Sequence, residues 1–564
     1  MSVTVLLREF DRISEAPDAV HHLRRFVLDL AVRGRLTKQL STDEPASRLL
    51  SRIQREVANG QGRIRKPIEL PPVREDEEPF RIPDTWLWTR VRQVTRDRGQ
   101  IIPRSDFTYI DVSSIDQELG RLGHPVVVSP DNAPSRARKL VSRGDVLYSC
   151  VRPYLLNIAV VEIDLSPPPI ASTAFAVLDG FGSLEPRYLW AVLRSRYFVA
   201  CVEDKMRGQA YPAINDFDFA QLPVPLPPRE EQRRIVGRLD ELLALCDQLE
   251  VSQKEEETQR VALRSATLRR LTSAGDQPTL HKYATFFLDT LPRFVKSPED
   301  VAQVRQAVLD MAVQGRLVHQ VAEDEPAASF LSRFSRVLEP ATGDSSEVQL
   351  PTGWSSATIR QLSSMVTSGS RGWAEFYSPT GAAFIRAQNI RFGHLRLDDL
   401  AHVTLPSRHE GQRTRVNGGD IVIVITGAGV TNPALVDVEF DEAYVSQHVG
   451  LIRLLTRDIG PWLLLCLMAP SACREDLVSR AYGAGKPGLN LDNIRTLVAP
   501  VPPLAEQRRI VAKVHELMAV CDELEVRLTS AQDERGQLLE SLLDEVLNGR
   551  TKPMAPAKMT VSVT

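Results

Sequence analysis

At 564 residues the chain is long enough for several domains, each burying its own core. Its apolar fraction of 43% and charged fraction of 25% are ordinary for a soluble globular protein, and no apolar run approaches the roughly 20 residues that span a bilayer. The formal net charge of -3 lacks the basic surplus usual in nucleic-acid binders, although long acidic helices can hide local basic patches.

In chain order, the opening MSVTVLLREFDR has neither the apolar core nor the small-residue cleavage site of an export signal. Six scattered cysteines without a C-x-x-C pair read as small core residues in a reducing cytoplasm. Residues 1–60 read as a helical region and 61–80 as a linker. Residues 81–225 form a first variable domain, 226–340 a central region of two helices, and 341–501 a second variable domain. A long helix over 502–549 and a disordered tail over 550–564 complete the reading. Both variable domains are rich in short β-branched runs such as DVLYSCV and DIVIVI, with helix-like segments between them, and are read as mixed α/β.

The order of these elements is a repeat. PPREEQRRIVGRLDELLALCDQLE, starting at Pro227, matches PPLAEQRRIVAKVHELMAVCDELE, starting at Pro502, at 15 of 24 positions and an offset of 275 residues. Arg24–Ile53 matches Arg305–Phe334 at 17 of 30 positions. Shorter echoes link the two variable domains: TYIDVSSI with AFIRAQNI, SRGDVLYS with NGGDIVIV, and QAYPAIND with AGKPGLNL. Within the repeated helix, Ile235, Leu239, Leu242, Cys246 and Leu249 follow a four-and-three spacing. So do Ile510, Val514, Leu517, Cys521 and Leu524 in the second copy. That spacing is a coiled-coil seam, and a helix from 229 to 272 would be about 65 Å long.

Two α/β domains punctuated by P-P-x-x-E-Q-x-x-I-V helices resemble the specificity subunits of type I restriction–modification enzymes. The resemblance covers nearly the whole chain and rests most heavily on PPREEQRRIV and PPLAEQRRIV. GDVLYSCVRPYLLNIAVV and YVSQHVGLIRL support it less specifically. It implies an α/β fold class: two target recognition domains separated by long antiparallel coiled-coil helices, related by a pseudo-two-fold internal repeat. The helix after the first domain would pair antiparallel with the helix near Val304, and the N-terminal helix with the C-terminal one. The implied partners are double-stranded DNA with a bipartite, asymmetric site, two modification subunits and, through them, restriction subunits. The chain itself would bind no cofactor; S-adenosylmethionine, ATP and Mg would sit on the partners. The eight seam residues Ile235, Leu239, Leu242, Leu249, Ile510, Val514, Leu517 and Leu524 are candidates for the coiled coil and for partner docking.

Candidate DNA contacts follow from side-chain chemistry, since phosphates take cations while base edges take planar hydrogen-bonding groups. In the first domain these are Arg136, Arg138, Lys139 and Arg143 of SRARKLVSR, then Arg152, Tyr154, Tyr211 and Asn215. In the second they are Arg371, Arg386, Gln388, Asn389, Arg391, Lys486 and Asn490, whereas Gln447 and His448 read as core polar residues. No methyltransferase N-P-P-[FY] loop occurs. ITGAGVTN lacks the third glycine of a dinucleotide site, and YGAGKPG lacks phosphate-loop spacing. The chain is therefore read as non-catalytic. Competing readings are a specificity chain of a related type II system, a coiled-coil adaptor that does not touch DNA, and a nuclease with a hidden site.

Overall fold

The computed structural model describes residues 9–59, 70–208, 211–273, 293–333, 350–406, 411–483 and 487–548, with scattered positions between 274 and 292. The tail assigned to 550–564 and the first part of the linker lie outside the described residues. Four helices carry the repeat: α1 (Ala19–Val32), α2 (Arg229–Ser273), α3 (Pro298–Val313) and α4 (Leu504–Asn548). The chain divides into two compact units, one of residues 1–256 with 532–564 and the other of residues 257–531. Each long helix thus begins in one unit and ends in the other.

The first unit shows why the helix signature has its particular residues. The Gln232 side chain turns back to donate to the Pro227 carbonyl (3.0 Å) and accepts from the Glu185 N–H (2.9 Å). Glu231, fully buried, accepts from the Trp86 indole (2.9 Å) and the Gln39 amide (2.9 Å). Arg234 forks onto Asp43, with its closer contact at 2.5 Å. Ile235 and Leu239 then enter a core with Val27, Trp86, Tyr148, Tyr188 and Leu226. Each residue of the E-Q-x-x-I signature therefore ties the start of α2 to its own variable domain. An antiparallel pair of strands, Leu87–Arg90 with Pro223–Leu226, closes that domain. Its body holds a five-stranded sheet containing Val146–Ser149 and a four-stranded sheet in which Phe107–Ile110 runs parallel to Pro169–Ser172.

The second unit repeats the arrangement. Gln507 donates to Pro502 (2.8 Å), Trp354 donates to Glu506 (3.1 Å), and Arg509 pairs with Asp324 (2.6 Å). Ile510 and Val514 enter a core with Trp354, Trp462 and Ile452. Ser355–Thr358 pairs with Val498–Val501, and Ala382–Ile385 runs parallel to Ala443–Val445. Asp420, tied to Arg453 (2.7 Å) and the Asn417 N–H (2.8 Å), matches Asp145, tied to Arg98 (2.7 Å) and the Ser142 N–H (2.8 Å).

Farther along, the seam leaves the variable domains and joins helices. In the first unit Cys246 packs with Val20, Leu23 and Phe26 of α1 and with Leu539, Leu542, Leu543 and Leu547 from the end of α4. Arg24 bridges to Asp247 and Glu250 (2.7 Å each), and Gln253 donates to Ser14, so α1 runs opposite to α2. Arg535 reaches Glu15 while Arg33 and Arg35 reach the carbonyls of Leu547 and Val546, so α1 runs with the end of α4. Within this unit the two long helices are accordingly antiparallel.

In the second unit Arg305 of α3 pairs with Asp522 and Glu525 of α4, the counterparts of Asp247 and Glu250. Arg260 and Arg264 at the end of α2 meet Asp300, and Arg264 also reaches Gln303. The expected antiparallel pairing of α2 with the helix near Val304 is corrected here. Their contacts advance together along both helices, and the antiparallel partner of α3 is the first half of α4. A second correction concerns the seam. Ile235, Leu239, Ile510 and Val514 are buried in the cores of their own units, where no partner can dock on them. Leu242 and Leu517 are half-buried against the same cores, and Leu249 and Leu524 against the helix junctions.

Candidate nucleic-acid interface

In the first variable domain two loops stand side by side beyond the strand Val146–Ser149. The first runs through Cys150–Asn157 and the second returns to the helix Asp216–Ala220. Backbone bonds tie them together: Arg152 N–H to Pro212 (2.8 Å), Ile214 N–H to Cys150 (3.0 Å), and a two-way exchange between Arg207 and Ala213. This scaffold brings together three of the residues selected from sequence. The Arg152 guanidinium lies 4.9 Å from the centre of the Tyr211 ring, and Tyr154 is exposed on the same loop as Arg152.

The second domain builds the same scaffold 275 residues on. Gly427 donates to Pro487 (3.1 Å), Leu489 donates to Ile425 (2.9 Å), and Tyr482 exchanges bonds with Gly488. Lys486, the counterpart of Tyr211, lies outside the described residues.

The other selected residues divide by what they touch. Arg136 is exposed, and Arg143 shares a loose, exposed pair with Asp164 (3.3 Å). Arg138 donates to the carbonyl of its neighbour Ala137 (2.8 Å). Lys139 is 6% exposed with its ammonium 2.5 Å from Asp97, so this cation is spent inside the domain. In the second domain Arg371 and Arg391 are exposed. Arg386, Gln388 and Asn389 instead converge on one turn. Arg386 and Asn389 donate to the Asp399 carbonyl (2.8 Å each), and Gln388 donates to the Asp399 carboxylate (3.0 Å). Asn389 is 1% exposed and also accepts from the Arg386 N–H (3.0 Å), which makes it a brace for the turn.

Gln447 is exposed, with its amide 3.3 Å from the His448 ring, which corrects its reading as a core residue. The sequence reading also missed Phe217 and Tyr482, each 61% exposed beside these loops. Placing Tyr482 at the 275-residue offset, next to the glycine that matches Gly208, would have found it.

Asn215 and Asn490 cap short helices. Asn215 accepts from the Asp218 N–H (2.8 Å) and Asn490 from the Asn493 N–H (2.7 Å). Replacing either with alanine is expected to cost about 0.5–2 kcal/mol of stability, read as a lower thermal midpoint for the full chain without DNA.

The profile of the type I restriction modification DNA specificity domain matches residues 172–259 and 403–531. Each match ends a variable domain and continues into a long helix, where the Gln232 and Gln507 contacts lie. The chain carries two matches to the DNA specificity domain of type I restriction–modification systems. The chain is 25% identical to the type I restriction enzyme EcoAI specificity subunit of Escherichia coli, over 94% of each chain. It is 27% identical to the EcoEI specificity subunit of the same species, again over 94% of each. Its fold matches a solved chain from work on complex assembly and conformational transition of the type I R-M system, with a TM-score of 0.54. That match has 23% identity and covers 84% of this chain and all of the other. The matched domain is a DNA specificity domain, and both relatives are named specificity subunits. No described helix is long and apolar enough to cross a membrane. Among the described residues, no group of three His, Cys, Asp or Glu side chains is placed to hold a metal.

Proposed function

We propose that the subunit reads a bipartite, asymmetric DNA site, one half with each variable domain, and that it docks two modification subunits and, through them, restriction subunits. One observation carries this reading. The Gln–Pro, Trp–Glu and Arg–Asp contacts that fix each variable domain to its long helix occur in both units, whereas the exposed loops beyond them differ in chemistry. Equivalent anchoring suits two equivalent partners; unlike loops suit two unlike half-sites. The chain supplies recognition, while S-adenosylmethionine, ATP and Mg belong to the partners. Phosphate contacts from exposed cations such as Arg136 and Arg371 would set register, and loop side chains would supply sequence discrimination.

Methylation mapping in cells with and without the gene tests the proposal. The expected result is a two-part adenine-methylated motif that disappears with the gene; methylation at an undivided site would overturn it. Exchanging the 150–157 and 207–215 loops for those of a relative should change one half of the motif and leave the other intact.

A further inference from the structure

The internal repeat supplies a control for the paired loops, because the same backbone is built twice with different side chains. Positions 152 and 427 are both left-handed, at φ 47° and 94°, and so are positions 156 and 431, at 55° and 74°. At the first of these the second domain uses Gly427, which enters the region without penalty, whereas the first domain keeps an arginine there. A strained non-glycine residue held where the repeat accepts glycine points to a side chain that is used.

What surrounds it is apolar. Val151, Tyr154, Leu155, Tyr211 and Phe217 are each at least 38% exposed, with Tyr211 at 71%. In the second domain the first three positions are Thr426, Gly429 and Val430, and Phe217 becomes Asp492. The tip is also anchored, by the Arg152–Pro212 and Ile214–Cys150 backbone bonds and by the Ser149 hydroxyl on the Val151 carbonyl (2.9 Å). An anchored, exposed set of aromatic and aliphatic side chains beside an arginine is poorly suited to reading phosphates. It matches the chemistry of side chains that enter between stacked bases, with the guanidinium left to meet the backbone or the displaced π-face.

We infer that the Arg152–Tyr211 tip is a wedge that unstacks a base step in the half-site read by the first domain, and that the second domain reads its half-site without one. The inference rests on the DNA-reading function proposed above and adds to it a distortion confined to one half-site.

The test uses the full chain assembled with its modification partner. Duplexes carrying the mapped motif have 2-aminopurine placed, one position at a time, in either half and never at the methylated adenine. The expected result is a fluorescence rise at one step of the first half-site and none in the second. Tyr211→Ala should abolish that rise and weaken specific binding about tenfold to a hundredfold, the range for loss of one base–aromatic stack, whereas Tyr211→Phe should preserve both. The tyrosine is on the surface, so the variants leave the core untouched. Tight specific binding without any rise in the first half-site, or an equal rise in both halves, would overturn the wedge while leaving the two-part reading intact. Failure to bind the motif specifically at all would instead sink the proposed function.

Discussion

Asp300→Ala should destabilise the second unit by about 3–5 kcal/mol, the usual cost of removing one partner from a buried ion pair. Both Asp300 oxygens are occupied. Arg260 and Arg264 bind them, and the N–H groups of Lys296 (2.8 Å) and Ser297 (3.0 Å) add two further bonds. Arg264 is itself 3% exposed, so the substitution would leave its charge with only the Phe294 carbonyl and Gln303. The repeat contains the relevant counter-experiment. The positions equivalent to Arg264 and Asp300 are Leu539 and Ala19, and both are buried in the first unit's apolar helix junction. Arg264→Leu combined with Asp300→Ala should therefore recover most of the loss, since an apolar pair can replace a buried ionic one at little net cost. Urea unfolding followed by tryptophan fluorescence measures both effects; equal losses for the single and double variants would refute the account.

The same cluster fixes a pH dependence. Burial pushes the Asp300 carboxyl up, but the Lys296 and Ser297 N–H groups and Arg260 outweigh it and hold the pKa below the ordinary value of 3.8. A depressed carboxyl contributes its stabilisation fully above the unfolded-state value and loses it as pH falls through the folded-state value. The stability gap between the native chain and Asp300→Asn should accordingly be flat near neutrality and close below pH 3.8.

The second large effect is expected at Leu239. This residue belongs to the heptad seam, yet it is fully buried in the core that the first variable domain shares with the N-terminal helices. Leu239→Ala should cost about 2–5 kcal/mol, the range for removing a buried leucine side chain and leaving a cavity. The loss should appear in the isolated full chain before any partner is added. If stability were unchanged and only assembly with the modification subunit suffered, the placement of Leu239 in the domain core would be wrong.

These two positions mark how far the sequence could be read. Duplication of the helix signature was legible, and with it the two α/β domains and long helices, because identical residues at one offset imply identical surroundings. The partner of each seam residue was not. A four-and-three spacing states that one helix face is apolar, and Ile235 and Cys246 satisfy it equally while packing against different neighbours. The direction of α3 was hidden for the same reason, since a parallel and an antiparallel contact leave the same period. Polar side chains were least legible. Asn389, Asn215 and Lys139 have groups suited to reading DNA, but a brace, a helix cap and a buried ion pair use the same groups. Only the atoms opposite them distinguish these roles.

The exchange of helix ends also bears on biosynthesis. Val20, Phe26 and Cys246 leave the ribosome well before the leucines that cover them, from Leu539 to Leu547. At about 5–20 residues per second, that apolar surface waits roughly 15 seconds to a minute for its cover. The unit begun earlier is completed by residues made much later, and its unfinished surface is where a chaperone would act.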